Sequence, residues 1–153
     1  MNQTEMAKNL KSLVQLDIDA IHAYTQAIEK IDIQSVKTRL NEFKNDHQRH
    51  VESLTPFVQR FGGEAPKFSL DFKGYLIEGF TALRSITGTE GALKAMRTNE
   101  MLTNKNYDKA LAWDLPKDVR QIVERNREDE RRHLQYIEQC IKQCVWEKRD
   151  MAA

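Results

Sequence analysis

The sequence predicts an all-α protein, and three observations support that prediction. The 153-residue chain contains only six Gly and three Pro, so residues that interrupt helices are sparse. Apolar residues recur every three or four positions over long stretches, which is the spacing of a helix with one buried face. The composition, 40% apolar and 31% charged, is typical of a globular domain. We therefore expect a single domain over residues 1–147, followed by a frayed tail at residues 148–153.

The charge of the chain is nearly balanced, with 24 basic and 23 acidic side chains. Proteins that bind nucleic acid rely on an excess of Lys and Arg, so we expect no nucleic-acid partner. No apolar run approaches the roughly 20 residues that span a bilayer, and the first residues lack the apolar stretch of a secretory signal. These observations predict a cytoplasmic protein with no membrane partner.

The first two predicted helices form a hairpin. The first helix should begin after Thr4, a good N-cap, and stop near residues 31–32. The second follows at once and should end at the glycines at 62–63. Because the connection is short, the two helices must be antiparallel neighbours. Their apolar stripes contain, in the first helix, Leu10, Leu13, Asp17, Ile21, Tyr24 and Ile28, and in the second, Val36, Leu40, Phe43, His47, His50, Leu54, Phe57 and Phe61.

A second predicted hairpin follows a long crossover. Between residues 62 and 88 the pattern changes, and Ser69 could cap a short helix there. A third long helix should end near Trp113, and Pro116 should open the fourth. Their stripes contain, in the third helix, Leu93, Met96, Glu100, Thr103, Tyr107 and Ala110, and in the fourth, Val119, Val123, Asn126, Glu130, His133, Ile137, Cys140 and Cys144. Two hairpins joined by one long crossover predict a four-helix bundle.

The two hairpins are related by an internal repeat with an offset of 83 residues. This offset pairs Asp17 with Glu100, Tyr24 with Tyr107, Asp46 with Asp129, His47 with Glu130, Arg49 with Arg132, and His50 with His133. Because one offset holds across both helices of each hairpin, a pseudo-two-fold axis should relate the hairpins. The paired polar residues should therefore converge.

Six ionisable residues occupy apolar stripes, near the middle of their helices. They are Asp17, His47, His50, Glu100, Glu130 and His133. Burying such groups costs several kcal/mol unless they are paired or bind a metal. Imidazoles and carboxylates together suit Fe, Mn or Zn, so the set predicts a metal site at one level of the bundle. The alternative is a metal-free polar network that fixes helix register by pairing Glu130 with His50 and Glu100 with His133.

Two motifs in the second hairpin resemble the ferritin-like superfamily of dimetal-carboxylate four-helix bundles. In that superfamily the first and third helices each contribute one Glu, and the second and fourth each contribute a Glu-x-x-His pair. Here Glu130 and His133 form such a pair and follow Asp129, as in the Asp-Glu-x-Arg-His form of several oxygen-activating members. Glu100, with Tyr107 seven residues later, matches the third-helix pattern. The chain looks closest to a small bacterial ferritin-like group of unassigned function.

The first hairpin departs from the superfamily pattern. Asp17, with Tyr24 seven residues later, resembles the first-helix motif but is one methylene shorter than Glu. His47 stands where a bridging Glu would be. A carboxylate can bridge two ions through its two oxygens, whereas a neutral imidazole binds only one. Only Glu130 remains as an obvious bridge, so the site could hold two ions or one.

The resemblance implies a protein that binds iron or manganese and reacts it with oxygen or peroxide, in iron handling or oxidative-stress protection. A ferroxidase-like dimetal oxidase is the enzyme class that it implies, with Fe, Mn or Zn as the candidate ions. Glu130 would bridge or anchor the metals. The remaining ligands would be the terminal ligands His50, His133, Asp17 and Glu100, with His47 added. The alternatives are a metal-binding or metal-sensing bundle without turnover, and a structural interaction bundle.

Residues around these ligands are expected to support them. Asp46 and Asp129 should each accept the Nδ1–H of a histidine on the facing helix, which fixes its tautomer. Tyr24 and Tyr107 should lie within one or two turns of the ligands and could hydrogen-bond a carboxylate or quench an oxidising equivalent. His22 and Asp19 lie off the stripe and are expected at the surface. Because no fifth helix follows the bundle, a monomer or homodimer is expected rather than a cage.

Overall fold

The computed structural model describes residues 1–67, 83 and 85–147, and all regular structure within them is helical. The helices are α1 (Gln3–Lys30), α2 (Gln34–Arg60), α3 (Gly88–Leu111) and α4 (Lys117–Lys142). No strand occurs among the described residues, which confirms the predicted all-α class for that part of the chain. The predicted crossover helix capped by Ser69 and the predicted frayed tail at 148–153 lie outside the described residues.

The four helices pack as a bundle. Helix α1 lies against α2 and α3, and α4 lies against α3 and α2. The connections at residues 31–33 and 112–116 are too short to let the chain cross the bundle, so each sequential pair is an antiparallel hairpin. Gln34 and Lys117, which begin α2 and α4, are related by the 83-residue offset, so these helices start in register. The site-bearing centres of the two hairpins therefore fall at the same level.

Helix α1 begins two residues earlier than the sequence predicts. Its N-cap is Asn2 rather than Thr4, and the Asn2 side chain accepts a hydrogen bond from the Glu5 backbone N–H at 2.8 Å. The Glu5 carboxylate accepts the Asn2 backbone N–H in return at 3.1 Å. This reciprocal capping box satisfies two N–H groups that a helix start otherwise leaves without partners. Thr4 has no Glu or Gln three residues after it, so it cannot form the same pair.

Helix α2 ends where the sequence predicts. Gly62 has a φ of +86°, a left-handed conformation that glycine adopts without steric cost. At Gly63 an added Cβ would lie 3.0 Å from the Ala7 Cβ and 3.1 Å from Val58 Cγ1. The chain after α2 therefore packs closely against the start of α1.

The core consists of two apolar clusters. One contains Ala27, Leu40, Phe43, Met96 and Ile137, among others. The other contains Leu10, Leu54, Tyr107, Val119 and Val123, among others. Each cluster draws on opposite halves of the four helices, so buried polar side chains near the helix centres lie between them. None of the described helices is both long enough and apolar enough to cross a membrane.

Candidate metal centre

The six residues predicted as ligands come together at the centre of the bundle. Every one of them is at most 1% exposed: Asp17, His47, His50, Glu100, Glu130 and His133. They come from all four helices because each occupies a core-facing position on its own helix. The convergence that the repeat predicts is therefore present.

The ligand atoms form two overlapping groups, within each of which they lie no more than 4.8 Å apart. The Asp17 group comprises Asp17, His47, His50 and Glu130, and the Glu100 group comprises His47, Glu100, Glu130 and His133. The 83-residue offset converts one group into the other. His47 and Glu130, which the offset exchanges, belong to both groups. Each group thus offers two imidazoles and two carboxylates.

The outer nitrogen of each terminal histidine is held by an aspartate from the opposite hairpin. His50 Nε2 donates to Asp129 Oδ2 at 2.9 Å, and His133 Nε2 donates to Asp46 Oδ2 at 2.8 Å. The expected partners on the facing helices are correct, but the expected nitrogen, Nδ1, is wrong. Since Nε2 is the ring atom farther from the backbone, it extends across to the facing aspartate and leaves Nδ1 directed at the cluster. His50 Nδ1 lies 3.0 Å from Asp17 Oδ1.

Two arginines join these aspartates in an ion-pair quartet. Arg49 pairs with Asp46 and Arg132 with Asp129, and each arginine also approaches the other aspartate, at 3.8 Å and 3.7 Å. Both arginine side chains are about half exposed. The quartet therefore lies between solvent and the terminal histidines, and it fixes the carboxylates that orient them.

The two tyrosines hydrogen-bond the terminal carboxylates across the bundle. Tyr24 donates to Glu100 Oε1, and Tyr107 donates to Asp17 Oδ2 at 2.6 Å. Burial and the neighbouring carboxylates raise the pKa of both phenols well above 10, so they remain protonated donors. Thr103 adds a bond to Glu100 Oε2 at 2.9 Å, which the sequence analysis did not predict. Thr103 lies three residues after Glu100 on the same apolar stripe, and this spacing could have indicated the hydrogen bond.

Glu130 is the least satisfied group in the cluster. Both of its carboxylate oxygens and His133 Nδ1 are buried without a hydrogen-bond partner of acceptable geometry among the described residues. Buried polar atoms in folded proteins almost always have such partners. The unsatisfied atoms face the two groups of ligands, so the residues present fit a metal site.

The carboxylates of the cluster raise the pKa values of its histidines. Burial by itself would lower the pKa of His47, but the charge of Glu130 and hydrogen bonds to Asp17 and Glu100 outweigh it and raise the pKa to about 9. The pKa values of His50 and His133 are also raised, against their burial, by the charges of Asp17 and Glu100 respectively. The surrounding carboxylates therefore favour the protonated form of all three imidazoles. An ion that bound these nitrogens would have to displace protons.

Two residues off the stripe differ in their burial. His22 is only partly buried, whereas Asp19 is 5% exposed, so its predicted surface position is wrong. Gln15 Nε2 donates to Asp19 Oδ1 at 2.9 Å, which provides a hydrogen bond for the carboxylate. Asp19 belongs to neither ligand group.

Residues 5–113 match the family described as Domain of unknown function (DUF2383). The chain belongs to this family. The match includes α1 to α3 apart from the first residues of α1, and ends before α4, so Glu130 and His133 lie beyond it. The curated proteins with which the sequence was compared include no match.

Proposed function

We propose that this chain is a ferritin-like protein that binds two divalent ions of iron or manganese and reacts them with oxygen or peroxide. The observation that supports the proposal is the pair of overlapping ligand groups, each with two imidazoles and two carboxylates. Imidazoles and carboxylates together suit Fe, Mn or Zn, and the resemblance to the ferritin-like superfamily favours the redox-active Fe and Mn among them. The ions would supply the electrons that reduce oxygen or peroxide.

The side chains around the ions have distinct roles in this proposal. Asp17, His50, Glu100 and His133 would be the terminal ligands, and Glu130 would contribute to both ions. Asp46 and Asp129 hold the terminal histidines by their Nε2 atoms, and Tyr24 and Tyr107 hold the terminal carboxylates. The apolar clusters on either side limit the access of water. This arrangement supports handling of iron or protection against oxidants rather than catalysis on a large substrate.

The test compares the wild-type chain with a Glu130→Ala, His133→Ala double variant. Both are purified without a histidine tag, their metal content is measured by mass spectrometry, and ferrous iron is added anaerobically before oxygen is admitted. We expect two ions per wild-type chain, rapid oxygen uptake, and loss of both properties in the double variant. An Asp108→Ala variant, which removes only a surface partner of Arg127, should behave as wild type.

A second candidate function is metal binding or sensing without turnover. It is favoured by the enclosure of the site, since all six ligands are at most 1% exposed and each group already offers four donors. Bound metal without oxygen uptake would favour this function over the oxidase. Absence of metal from the wild-type chain, even after iron is added, would overturn both and leave a buried polar network.

A further inference from the structure

We infer that His47 bridges the two metal ions, with Nδ1 bound to one and Nε2 to the other. The inference rests on the proposed function, because it requires that both ions bind. A neutral imidazole serves only one ion, but a ring that has lost both N–H protons offers a lone pair on each nitrogen. A bridging role requires that both nitrogens of His47 face ligand groups.

The two nitrogens of His47 face different ligand groups. Nδ1 lies 2.7 Å from Asp17 Oδ1 and 3.3 Å from Glu130 Oε1, within the Asp17 group. Nε2 lies 3.2 Å from Glu100 Oε1, within the Glu100 group. In contrast, His50 and His133 each direct only Nδ1 into the cluster and give Nε2 to an aspartate outside it. Among the three site histidines, His47 is therefore the one with both nitrogens available to the cluster.

Glu130 faces both groups in the same manner. Its Oε1 atom lies 3.3 Å from Nδ1 of both His47 and His50, and its Oε2 atom lies 3.6 Å from His133 Nδ1. The repeat offset exchanges His47 with Glu130, and these two residues are the members that both ligand groups share. Both side chains are therefore placed to contact two ions, His47 through its two ring nitrogens and Glu130 through its two carboxylate oxygens.

Charge balance agrees with this assignment. Two divalent ions carry four positive charges, and Asp17, Glu100 and Glu130 supply three negative charges. A fully buried site is costly unless its charges are neutralised. A bridging His47 ring, which has no N–H proton, would supply the fourth negative charge. No additional anion is then needed.

A bridging and a terminal histidine differ in how many binding steps they affect. Titration calorimetry with Mn²⁺ would be performed on the wild-type chain and on three variants, His47→Gln, His50→Gln and His22→Gln. The bridge predicts that His47→Gln weakens both binding steps by at least about tenfold, since a lost ligand costs at least as much as a lost supporting residue. His50→Gln should weaken one step and leave the other unchanged. His22→Gln, which alters a histidine outside both groups, should leave both unchanged.

The outcomes separate the bridge from the proposed function. Two Mn²⁺ ions in the wild type, with only one step weakened by His47→Gln, would overturn the bridge and leave the proposed function standing. Uptake of a single ion by the wild type would also overturn the bridge. No Mn²⁺ or iron binding by the wild type would overturn both.

A second measurement keeps the inference testable if His47→Gln fails to fold. An imidazole ring holds two ions farther apart than the roughly 3.5–4 Å of ordinary two-metal sites, because its nitrogens point outward from opposite sides of the ring. X-ray absorption of the two-Mn²⁺ wild type should therefore show no metal–metal distance in that range. A distance within it would indicate a shorter bridge and would overturn the inference.

Discussion

Each terminal histidine of the site depends on a single carboxylate from the opposite hairpin. Asp129 holds His50, and Asp46 holds His133, and the repeat relates these two pairs. Such supporting residues set the orientation and basicity of a metal-binding imidazole. Their contribution can be measured separately from that of the ligands themselves.

We predict that Asp129→Asn lowers metal affinity by about 10- to 100-fold without removing any ligand. The amide keeps the volume of the side chain but loses the charge that stabilises the histidine. Calorimetric titration with Mn²⁺ measures the effect. Asp108→Asn, at an exposed ion pair with Arg127, is the matched control and should leave the affinity unchanged. Equal affinities for Asp129→Asn and wild type would show that the aspartate does not support the site.

The stability of the metal-free protein should depend on pH through His47. Its pKa is raised to about 9 in the folded chain, from 6.5 when unfolded, so protonated His47 stabilises the fold. This stabilisation is fully present below pH 6.5 and is lost as the pH rises through about 9. With a chelator present, we therefore expect a lower melting temperature near pH 9 than at pH 6.5. The difference should shrink in His47→Gln, and a melting temperature that rises with pH would contradict the prediction.

The identities of the site residues could be predicted from sequence, but some of their geometry could not. Ionisable residues in apolar stripes, together with one repeat offset, pointed to all six residues that the structure brings together. The use of Nε2 rather than Nδ1 by His50 and His133 depends on ring rotation, which spacing does not specify. The burial of Asp19 could not be predicted either. The apolar spacing along α1 indicates one buried face of the helix, and it does not indicate that a neighbouring face is buried as well.

At the scale of single helices, the start of α1 illustrates how a cap is selected. Asn2 and Thr4 are both suitable N-cap residues, yet only Asn2 has a Glu three residues later. The reciprocal hydrogen bonds with Glu5 favour Asn2 and add a full half-turn to the helix. A rule that considers the N-cap residue alone does not distinguish the two positions, whereas the full motif does.

We predict that Asn2→Ala destabilises the fold by about 1 kcal/mol, since both capping hydrogen bonds are affected. Thr4→Ala is the matched control, because Thr4 is exposed and lies inside the helix. It should change the free energy of unfolding by less than about 0.5 kcal/mol. Urea denaturation measures both values. A larger effect at Thr4 than at Asn2 would contradict the assigned cap.

The helix boundaries at glycine and proline were more predictable than the start of α1. Gly62 has the left-handed backbone that ends α2, and Pro116 lies directly before α4 as its N-cap. Cys144, predicted on the last stripe of α4, lies beyond the helix end at Lys142, with a φ of +47°. The left-handed backbone at Cys144 cannot be predicted from an apolar pattern.

For the whole molecule, the convergence of candidate ligands from four helices would couple metal binding to global stability. An ion that binds only the folded chain stabilises it by about 2.7 kcal/mol at one hundred times its Kd. In a chain of this size that corresponds to a rise in melting temperature of roughly 5–10 °C. We expect such a rise with Mn²⁺, its reversal by a chelator, and neither in the Glu130→Ala, His133→Ala variant. Differential scanning calorimetry would detect it, and an unchanged wild-type melting temperature would contradict metal binding.

The hydrogen bonds of the cluster cross between the hairpins in both directions. Tyr24 of the first hairpin holds Glu100 of the second, and Tyr107 of the second holds Asp17 of the first. The aspartate–histidine pairs cross in the same way. In these four hydrogen bonds, the terminal ligand and the aspartate or tyrosine that holds it therefore lie on opposite hairpins. If the hairpins separate even locally, these four hydrogen bonds would break together, so an opening that releases one ion would also loosen the ligands proposed for the other.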